Sequence, residues 1–313
     1  MTPILANPPL LSESEELLPC TPAIGLIGLG AVGAALSLAL AATGNHVTAV
    51  YSPNLNASQR LSEELESATV TGSAQEVVDL CDVVLLTVSD GAIETLAASL
   101  GWRPGQIAVH CSGALGTVAL AAAQRQGATA VALHPLCTLP REGSAPIPIG
   151  TRFAFTGPDE ALGFFNSLVA GLGGVLINVP EEARPLYHAA AVMAGNYTVA
   201  LTAVAVSLLG SLGLTRQEGL AALVPLLHGT VDNLERSGLP DALTGPIVRG
   251  DLGTVAAHRR ALRDTEFLEL YDVLARATAG LALQREELSN EVRQTLLGLK
   301  WGCNCDSDFR LMN

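Results

Sequence analysis

Short apolar runs alternate with longer helical segments over the first 180 residues of the chain. The first run, at 23–27, leads into three glycines spaced G-x-G-x-x-G. An alanine- and leucine-rich segment follows them and predicts a helix to about Thr43. Later runs predict strands at 46–51, 69–70, 82–88, 106–111, 128–133, 151–156 and 174–179. This alternation is typical of an α/β fold with a doubly wound, mostly parallel sheet of the Rossmann type.

The pattern changes after residue 180, where only helical periodicity remains. Helices are predicted at 181–213, 216–236, 251–263, 265–282 and 284–299. We therefore expect a Rossmann-like domain at 22–179, followed by an all-α second domain at 180–300. Residues 1–21 carry prolines and acids but no basic segment before an apolar core, so they predict a flexible arm and not a signal peptide. Residues 301–313 form a predicted tail.

An uncharged stretch from Pro185 to Thr215 is long and apolar enough to cross a membrane. Much of its apolar content is alanine, however, and it also holds polar side chains at His188, Asn196, Thr198, Thr202, Ser207 and Ser211. These features favour a helix that is buried between domains or subunits over a membrane span. Because so uncharged a surface is rarely left in water, we expect a homodimer formed through the helical domain.

Charge and cysteine usage narrow the choice of partner and compartment. The net charge of −13 argues against nucleic acid or an anionic membrane as a partner. The six cysteines include no C-x-x-C pair, and Cys81 and Cys111 lie in apolar runs, so we expect packed thiols in a reducing, cytoplasmic compartment. Cys303 and Cys305 could bind a metal, but a solvated tail is the favoured interpretation, and no metal site is predicted.

The glycine-rich turn predicts a dinucleotide site. Gly28 allows the tight turn, Gly30 allows a pyrophosphate to approach the backbone, and Gly33 allows close packing of helix on strand. The following helix N-terminus offers free N–H groups to the phosphates. The predicted phosphate-binding residues are Gly28, Leu29, Gly30, Ala31, Val32 and Gly33. The alternative is a tight strand–helix turn that binds nothing.

The end of the second predicted strand bears on the choice between NAD and NADP. A dinucleotide fold usually places an acid there to bind the ribose hydroxyls. This chain has Ser52 and Asn54 instead, with Arg60 shortly after and no carboxylate before Glu63. An arginine without an acid favours a 2′-phosphate, and therefore NADP, unless Arg60 is an ordinary solvated helix residue.

Two further strand ends place small polar groups at the same predicted edge of the sheet. Val88, Ser89 and Asp90 follow the fourth strand and are expected to meet the cofactor, although the favoured role of Asp90 is to cap the next helix. Cys111 and Ser112 follow the fifth strand. We expect Cys111 to lie beside the cofactor, and Ser112 either to face the nicotinamide or substrate or to cap the helix that follows.

Taken together, several motifs resemble the 6-phosphogluconate dehydrogenase-like superfamily, which includes β-hydroxyacid dehydrogenases and ketopantoate reductases. More narrowly, the chain is similar over residues 22–300 to a group that pairs a Rossmann-like domain with a helical domain of unknown function. The motifs are Gly25–Gly33, His110–Gly113, His134-Pro135, Tyr187–Ala191, Asn196-Tyr197 and Thr244–Asp251 with His258. The resemblance implies NADPH-dependent reduction of a small oxo acid, with 2-dehydropantoate favoured, in the cleft between the domains.

One departure from the relatives in that superfamily concerns the catalytic lysine, which they carry on the helix that opens the second domain. This helix has none, since the only lysine is Lys300. Its first ionisable residue after the opening turn is His188, which could protonate a nascent alkoxide, while Asn196 could hold the substrate carbonyl. The alternative is a polar pair satisfied inside a helix interface.

Two more residues are candidates for binding a carboxylate substrate. Arg249 lies in a rigid turn and its planar fork suits a carboxylate, unless it pairs with Asp251. His134 precedes Pro135 at a strand end, as a similar His-Pro does in prephenate dehydrogenases, and either lines the substrate site or anchors the next loop. An arogenate- or prephenate-type dehydrogenase and a non-catalytic NADP-binding protein remain the alternative functions.

Overall fold

The structure is a computed structural model that describes residues 19, 21–54, 59, 61, 63–65, 68–140 and 145–298. These residues form two compact units, one reaching Asn196 and the other beginning at Tyr197. The predicted domain boundary at 179/180 marks where strands give way to helices, and the compact unit that contains the sheet extends one helix further.

The first unit is built on an eight-stranded sheet with strand order β3-β2-β1-β4-β5-β6-β7-β8. Its strands are β1 Ile24–Ile27, β2 Val47–Tyr51, β3 Thr69–Val70, β4 Val83–Leu86, β5 Ile107–His110, β6 Thr129–Pro135, β7 Arg152–Thr156 and β8 Val175–Asn178. The first six follow the Rossmann order and are parallel, as predicted. Only β7 pairs antiparallel, with β6.

Helices cover both faces of this sheet, so the strands carry apolar side chains on either side. The α-helices of the first unit are α1 Ala31–Ala42, α2 Ala74–Leu80, α3 Asp90–Ser99, α4 Ala121–Arg125, α5 Asp159–Gly171 and α6 Arg184–Ala194. The continuous apolar run of β4 shows the consequence. Val83 and Leu85 belong to one buried cluster and Val84 and Leu86 to the other. The parallel strands thereby end along one edge, where the polar strand-end residues collect.

The second unit is all-helical over its described residues, as the sequence predicted. Its helices are α7 Asn196–Gly210, which begins at the last residue of the first unit, α8 Arg216–Ser237, α9 Leu252–Ala261, α10 Leu268–Ala282 and α11 Asn290–Leu297. A small buried core within this unit includes Ile247, Val255 and Ala279. Asp251 caps α9, as predicted, by accepting a hydrogen bond from the Thr254 N–H.

Three local predictions were wrong. The single helix predicted at 181–213 is interrupted at Gly195, the C-cap of α6, and continues as α7. The helix predicted to start at Leu115 is instead a short 3₁₀ turn at Thr117–Leu120, which precedes α4. Asp90 is not the cap of α3. Ser89 holds the cap position, and Asp90 lies in the first turn, where its carboxylate faces the positive helix end.

The stretch Glu181–Gly210 stands out because it is apolar yet exposed. Among the described residues it is the one helical stretch whose length and composition would allow a membrane crossing, and only 6% of its most apolar window is buried within the chain. Val199 on α7, for example, is 71% exposed. This apolar surface is therefore not covered by the chain itself.

Candidate functional site

The glycine turn joins β1 to α1 with a different geometry at each glycine. Gly28 has a φ of 100°, a left-handed conformation that side chains other than that of glycine rarely adopt, and its N–H donates to the Tyr51 carbonyl at 2.8 Å. A side chain on Gly33 would overlap the Gly28 carbonyl oxygen. Gly28 therefore provides the turn and Gly33 provides the close approach of α1 to β1, in agreement with the roles expected from the spacing.

Gly30 differs from both because no atom lies within 4 Å of the position that its Cβ would take. It is the N-cap of α1, and α1 has neither a side-chain cap nor an acidic residue in its first turn. The turn therefore leaves space beside a helix N-terminus whose N–H groups lack a capping side chain. This combination suits a bound anion such as the pyrophosphate of a dinucleotide.

The ends of β2 and β4 lie beside this turn. Ser52 follows Tyr51 and is buried, and its hydroxyl accepts a hydrogen bond from the Asn54 N–H at 3.2 Å. Thr87, which follows β4, donates its hydroxyl to the Gly28 carbonyl. Arg60 lies outside the described residues. The polar groups predicted at these two strand ends are thus adjacent to the glycine turn, and Thr87 is a contact that the sequence did not suggest.

The residues after Thr87 and at the end of β5 complete this edge of the sheet. Val88 is partly buried, whereas Ser89 and Asp90 are exposed at the start of α3. Burial raises the pKa of the Cys111 thiol to about 12, so the thiol stays protonated at neutral pH. The buried Cys81 packs in the core in the same state. The prediction that these cysteines pack as small hydrophobic residues is confirmed.

A second group, the histidine cluster (Ser112, Gly113, His134, Arg184, Tyr187 and His188), forms at the ends of β5 and β6 against α6. The His134 Nδ1 lies 2.8 Å from the Tyr187 hydroxyl oxygen. The His134 and His188 rings meet edge to face with centroids 6.1 Å apart. A side chain on Gly113 would overlap the Nδ1 of His188 and lie 3.1 Å from the Nε2 of His134. Glycine at position 113 therefore allows both imidazoles to pack against the β5 loop.

Two features of this cluster affect proton chemistry. The Nδ1 of His188 is buried and has no hydrogen-bond partner among the described residues, so this nitrogen is available to a ligand. The pKa of His134 is lowered to about 4, chiefly by burial and then by the charge of Arg184. His134 is therefore neutral at physiological pH and acts as a fixed hydrogen-bonding group. Among the described residues, no three acidic, His or Cys side chains are grouped as a metal site would require.

Arg184 and Ser112 form the base of the cluster. Arg184 is fully buried and donates from Nη2 to the Ser112 carbonyl at 2.5 Å and from Nη1 to the Thr156 hydroxyl at 2.9 Å. The Ser112 hydroxyl accepts hydrogen bonds from the N–H groups of Ala114 and Leu115. Of the two predicted roles for Ser112, the capping role is seen, in a turn and not in a helix.

The remaining two predicted residues do not join this cluster by any described contact. Asn196 is exposed as the first residue of α7, beyond the break at Gly195. Arg249 is exposed in the second unit, and its charge contributes, after the hydrogen bonds from Thr254, to the low pKa of Asp251. No ion pair between Arg249 and Asp251 appears within the described residues.

Sequence reasoning missed the roles of Tyr187 and Arg184. Tyr187 stood in a motif that carried the family resemblance, but nothing in the sequence paired it with a histidine 53 positions away. Arg184 follows two glutamates and precedes Pro185, so its surroundings suggest a solvated helix start. The available signal was its position at the first turn of a helix, where a cation is unfavourable.

Comparisons with known proteins agree with this architecture. Residues 8–135 match a family described as a Rossmann-like domain, and residues 151–278 match one described as a domain of unknown function, DUF2520. A comparison with curated proteins finds no match. The N-terminal part of the chain is therefore similar to Rossmann-like domains, and the part after residue 150 is similar to DUF2520.

Several solved structures share the fold of this chain. Protein BF3122 from Bacteroides fragilis, provisionally named an NADP oxidoreductase, superposes with a TM-score of 0.67 at 23% identity, covering 82% of this chain and 97% of its own. Protein TM1727 from Thermotoga maritima gives 0.66 at 24% identity, with 83% and 98% covered. A 1-pyrroline-5-carboxylate reductase from Streptococcus pyogenes gives 0.58 at 18% identity, with 82% and 96% covered. At these identities the likeness establishes a common fold.

Proposed function

We propose that this protein is an NADPH-dependent oxidoreductase that reduces a small oxo acid. The observation that carries the proposal is the open space at Gly30 beside the N-terminus of α1, which no side chain caps. A nicotinamide cofactor would be held by the turn at Gly28–Gly33 and along the ends of β2, β4 and β5. When bound, it supplies a hydride to the substrate carbonyl.

NADPH is favoured over NADH by the end of β2. Ser52 and Asn54 stand where an acid would bind ribose hydroxyls, and Arg60 follows them in sequence. Among the structures that share the fold, the Bacteroides fragilis protein has NADP in its name. That name agrees with the preference for NADPH, but the preference itself is argued from Ser52, Asn54 and Arg60 of this chain.

The histidine cluster provides the groups that the substrate would need. His188 is the proposed proton donor to the alkoxide oxygen, because its Nδ1 has no hydrogen-bond partner among the described residues and is therefore available to a substrate oxygen. His134 is kept neutral chiefly by burial, and its contact with Tyr187 fixes its position. It would orient the substrate through hydrogen bonding. Ser112 and Asn196 are further proposed contacts to a carboxylate or carbonyl oxygen.

The favoured substrate is 2-dehydropantoate, which the sequence resemblance suggests. A homodimer in which α7 packs against a second copy is also part of the proposal, since α7 is apolar and exposed in the single chain. We place the enzyme in the cytoplasm because its buried cysteines need no oxidising compartment.

A titration tests the first step of this proposal without requiring a substrate. Calorimetry should show that NADPH binds the full chain more tightly than NADH by about ten-fold or more, as expected when a cation contacts the extra phosphate. Failure of both nucleotides to bind would remove the proposed function. Tight NADPH binding without turnover of any oxo acid would instead indicate a non-catalytic NADP-binding protein.

A further inference from the structure

Arg184 is an unusual residue in the described part of the chain. It is completely buried, yet no described carboxylate lies within 4 Å of its guanidinium. Its hydrogen bonds go to a backbone carbonyl and a hydroxyl, both uncharged, and its Nε has no partner among the described residues. A buried charge in proteins is normally paired with an opposite charge, because desolvation of an ion costs several kcal/mol.

The position of Arg184 adds to this cost. It is the first residue of α6, where the helix dipole is positive and a cation is disfavoured. Glu181, the carboxylate whose charge acts on Arg184, accepts hydrogen bonds from the backbone and side chain of Thr117. Its charge offsets that of Arg184 only in part. The hydrogen bonds of Arg184 to Thr156 of β7 and to Ser112 of the β5 loop do not require a full charge, since a neutral donor could form both.

The groups around Arg184 are electrically neutral at physiological pH. Its charge acts on His110, His134, Cys111 and Tyr187, lowering the pKa of each. Burial keeps both histidines uncharged, and it raises the pKa values of the thiol and the phenol to about 12. The buried positive charge of Arg184 therefore acts on four neutral groups and lacks a close counter-ion among the described residues.

We infer that Arg184 determines substrate specificity by favouring a ligand that carries a carboxylate over a neutral or cationic one. The inference rests on the proposed function. The positive charge of Arg184 would favour binding of an oxo acid, which is an anion, over binding of a protonated imine, which is a cation. Arg184 is fully buried and acts through its electric field and not by contact. In a site of low polarity, the field of one unit charge is expected to change the affinity for a charged ligand by on the order of ten-fold.

Binding to the NADP⁺-saturated full chain tests this without relying on turnover. The two probes are 2-dehydropantoate and 2-dehydropantolactone, its neutral lactone, each titrated by calorimetry. Arg184→Met removes the charge and keeps the length of the side chain, whereas Arg184→Lys keeps the charge. Glu181→Gln provides a change of opposite sign, because its amide oxygen can still accept the Thr117 hydrogen bonds while its negative charge is lost.

We expect Arg184→Met to weaken binding of the acid by about ten-fold or more and to change binding of the lactone by less than about two-fold. Arg184→Lys should retain most of the preference, and Glu181→Gln should increase it. If Arg184→Met does not fold, the increase in Glu181→Gln still tests the inference. The inference would be overturned if Arg184→Met lost the same affinity for both probes or kept the wild-type preference for the acid. It would also be overturned if the wild type bound neither probe.

The proposed function is judged separately by NADPH binding and by oxidation of NADPH with a wider set of carbonyl compounds. Turnover of a neutral or cationic substrate with no preference for carboxylates would leave the proposed function standing and remove the role of Arg184. Absence of NADPH binding would remove the proposed function itself.

Discussion

The imidazole Nδ1 of His134 lies 2.8 Å from the hydroxyl oxygen of Tyr187, and this contact joins the end of β6 to α6. Their rings meet edge to face at 82°, with centroids 5.7 Å apart. Because Tyr187 and His188 are consecutive on α6, the contact also brings His188 against the β5 loop at Gly113. The histidine cluster is thus formed within one compact unit of the chain.

The open space at Gly30 predicts a variant that loses the cofactor and keeps the fold. Gly30→Ala adds a Cβ where no atom lies within 4 Å, so the free energy of unfolding should change by less than about 1 kcal/mol. The same methyl group should obstruct a pyrophosphate and weaken NADPH binding by about ten-fold or more. Chemical denaturation and calorimetry measure the two effects.

Gly163→Ala is the matched control, since Gly163 lies inside α5 and its Cβ position is also free of neighbours. This control should gain up to about 1 kcal/mol in helix stability and bind NADPH like the wild type. Equal NADPH affinity in Gly30→Ala and wild type would show that the turn does not hold the phosphates.

The low pKa of His134 predicts a loss of stability in acid. Folding lowers this pKa from 6.5 to about 4, so the unfolded chain binds the proton first as the pH falls. The free energy of unfolding should therefore decrease between pH 6.5 and 4, by at most about 3 kcal/mol from this group. Above pH 6.5 the residue is neutral in both states and contributes no pH dependence.

Urea denaturation at pH 7 and pH 5 checks this prediction in the wild type and in His134→Gln. The variant should lose less stability on acidification than the wild type. A smaller dependence should remain, because burial also lowers the pKa of His110. If the two proteins lose the same free energy between these pH values, His134 is not the buried neutral group described here.

The cofactor preference can be tested at Arg60, which lies outside the described residues. NADPH should raise the melting temperature of the wild type more than NADH at equal concentration, since stabilisation scales with RT ln(1 + [L]/Kd). Arg60→Gln should reduce the difference by removing the cation that we propose as the partner of the 2′-phosphate. Equal stabilisation of the wild type by both nucleotides would remove the argument from Ser52 and Arg60.

The exposed apolar surface of α7 predicts a dimer. Light scattering should give twice the mass of one 32.2 kDa chain. Val199→Glu introduces a charge at a position that is 71% exposed in the single chain and should shift the protein towards monomer. Val118→Glu, at a 70% exposed valine of the first unit, is the control and should remain dimeric. A wild-type mass of one chain contradicts the prediction.

Local patterns predicted the sheet and the glycine turn well, because those features depend on neighbours in sequence. The apolar run of β4 and the G-x-G-x-x-G spacing were sufficient for the Rossmann order of the first six strands. The antiparallel β7 was not predicted, since a strand pattern carries no direction.

The residues that form the histidine cluster were predicted only in part. His134, His188 and Ser112 were expected because each lies at a strand end or on the helix after the sheet. Arg184 and Tyr187 were missed, since the burial of a charge and a contact across 53 positions arise from tertiary packing. The helix that was expected to run through Gly195 is interrupted there, which separates Asn196 from the helix that carries His188.

The most direct test of the account is the oxidation of NADPH, followed at 340 nm, against a panel of small oxo acids, with imines for comparison. We predict turnover with an oxo acid in the wild type. In His188→Ala, we expect kcat/KM to fall by about a hundred-fold or more, as expected for the loss of a proton donor. Wild-type rates in His188→Ala would contradict the assigned donor, and no oxidation with any member of the panel would contradict the proposed reductase.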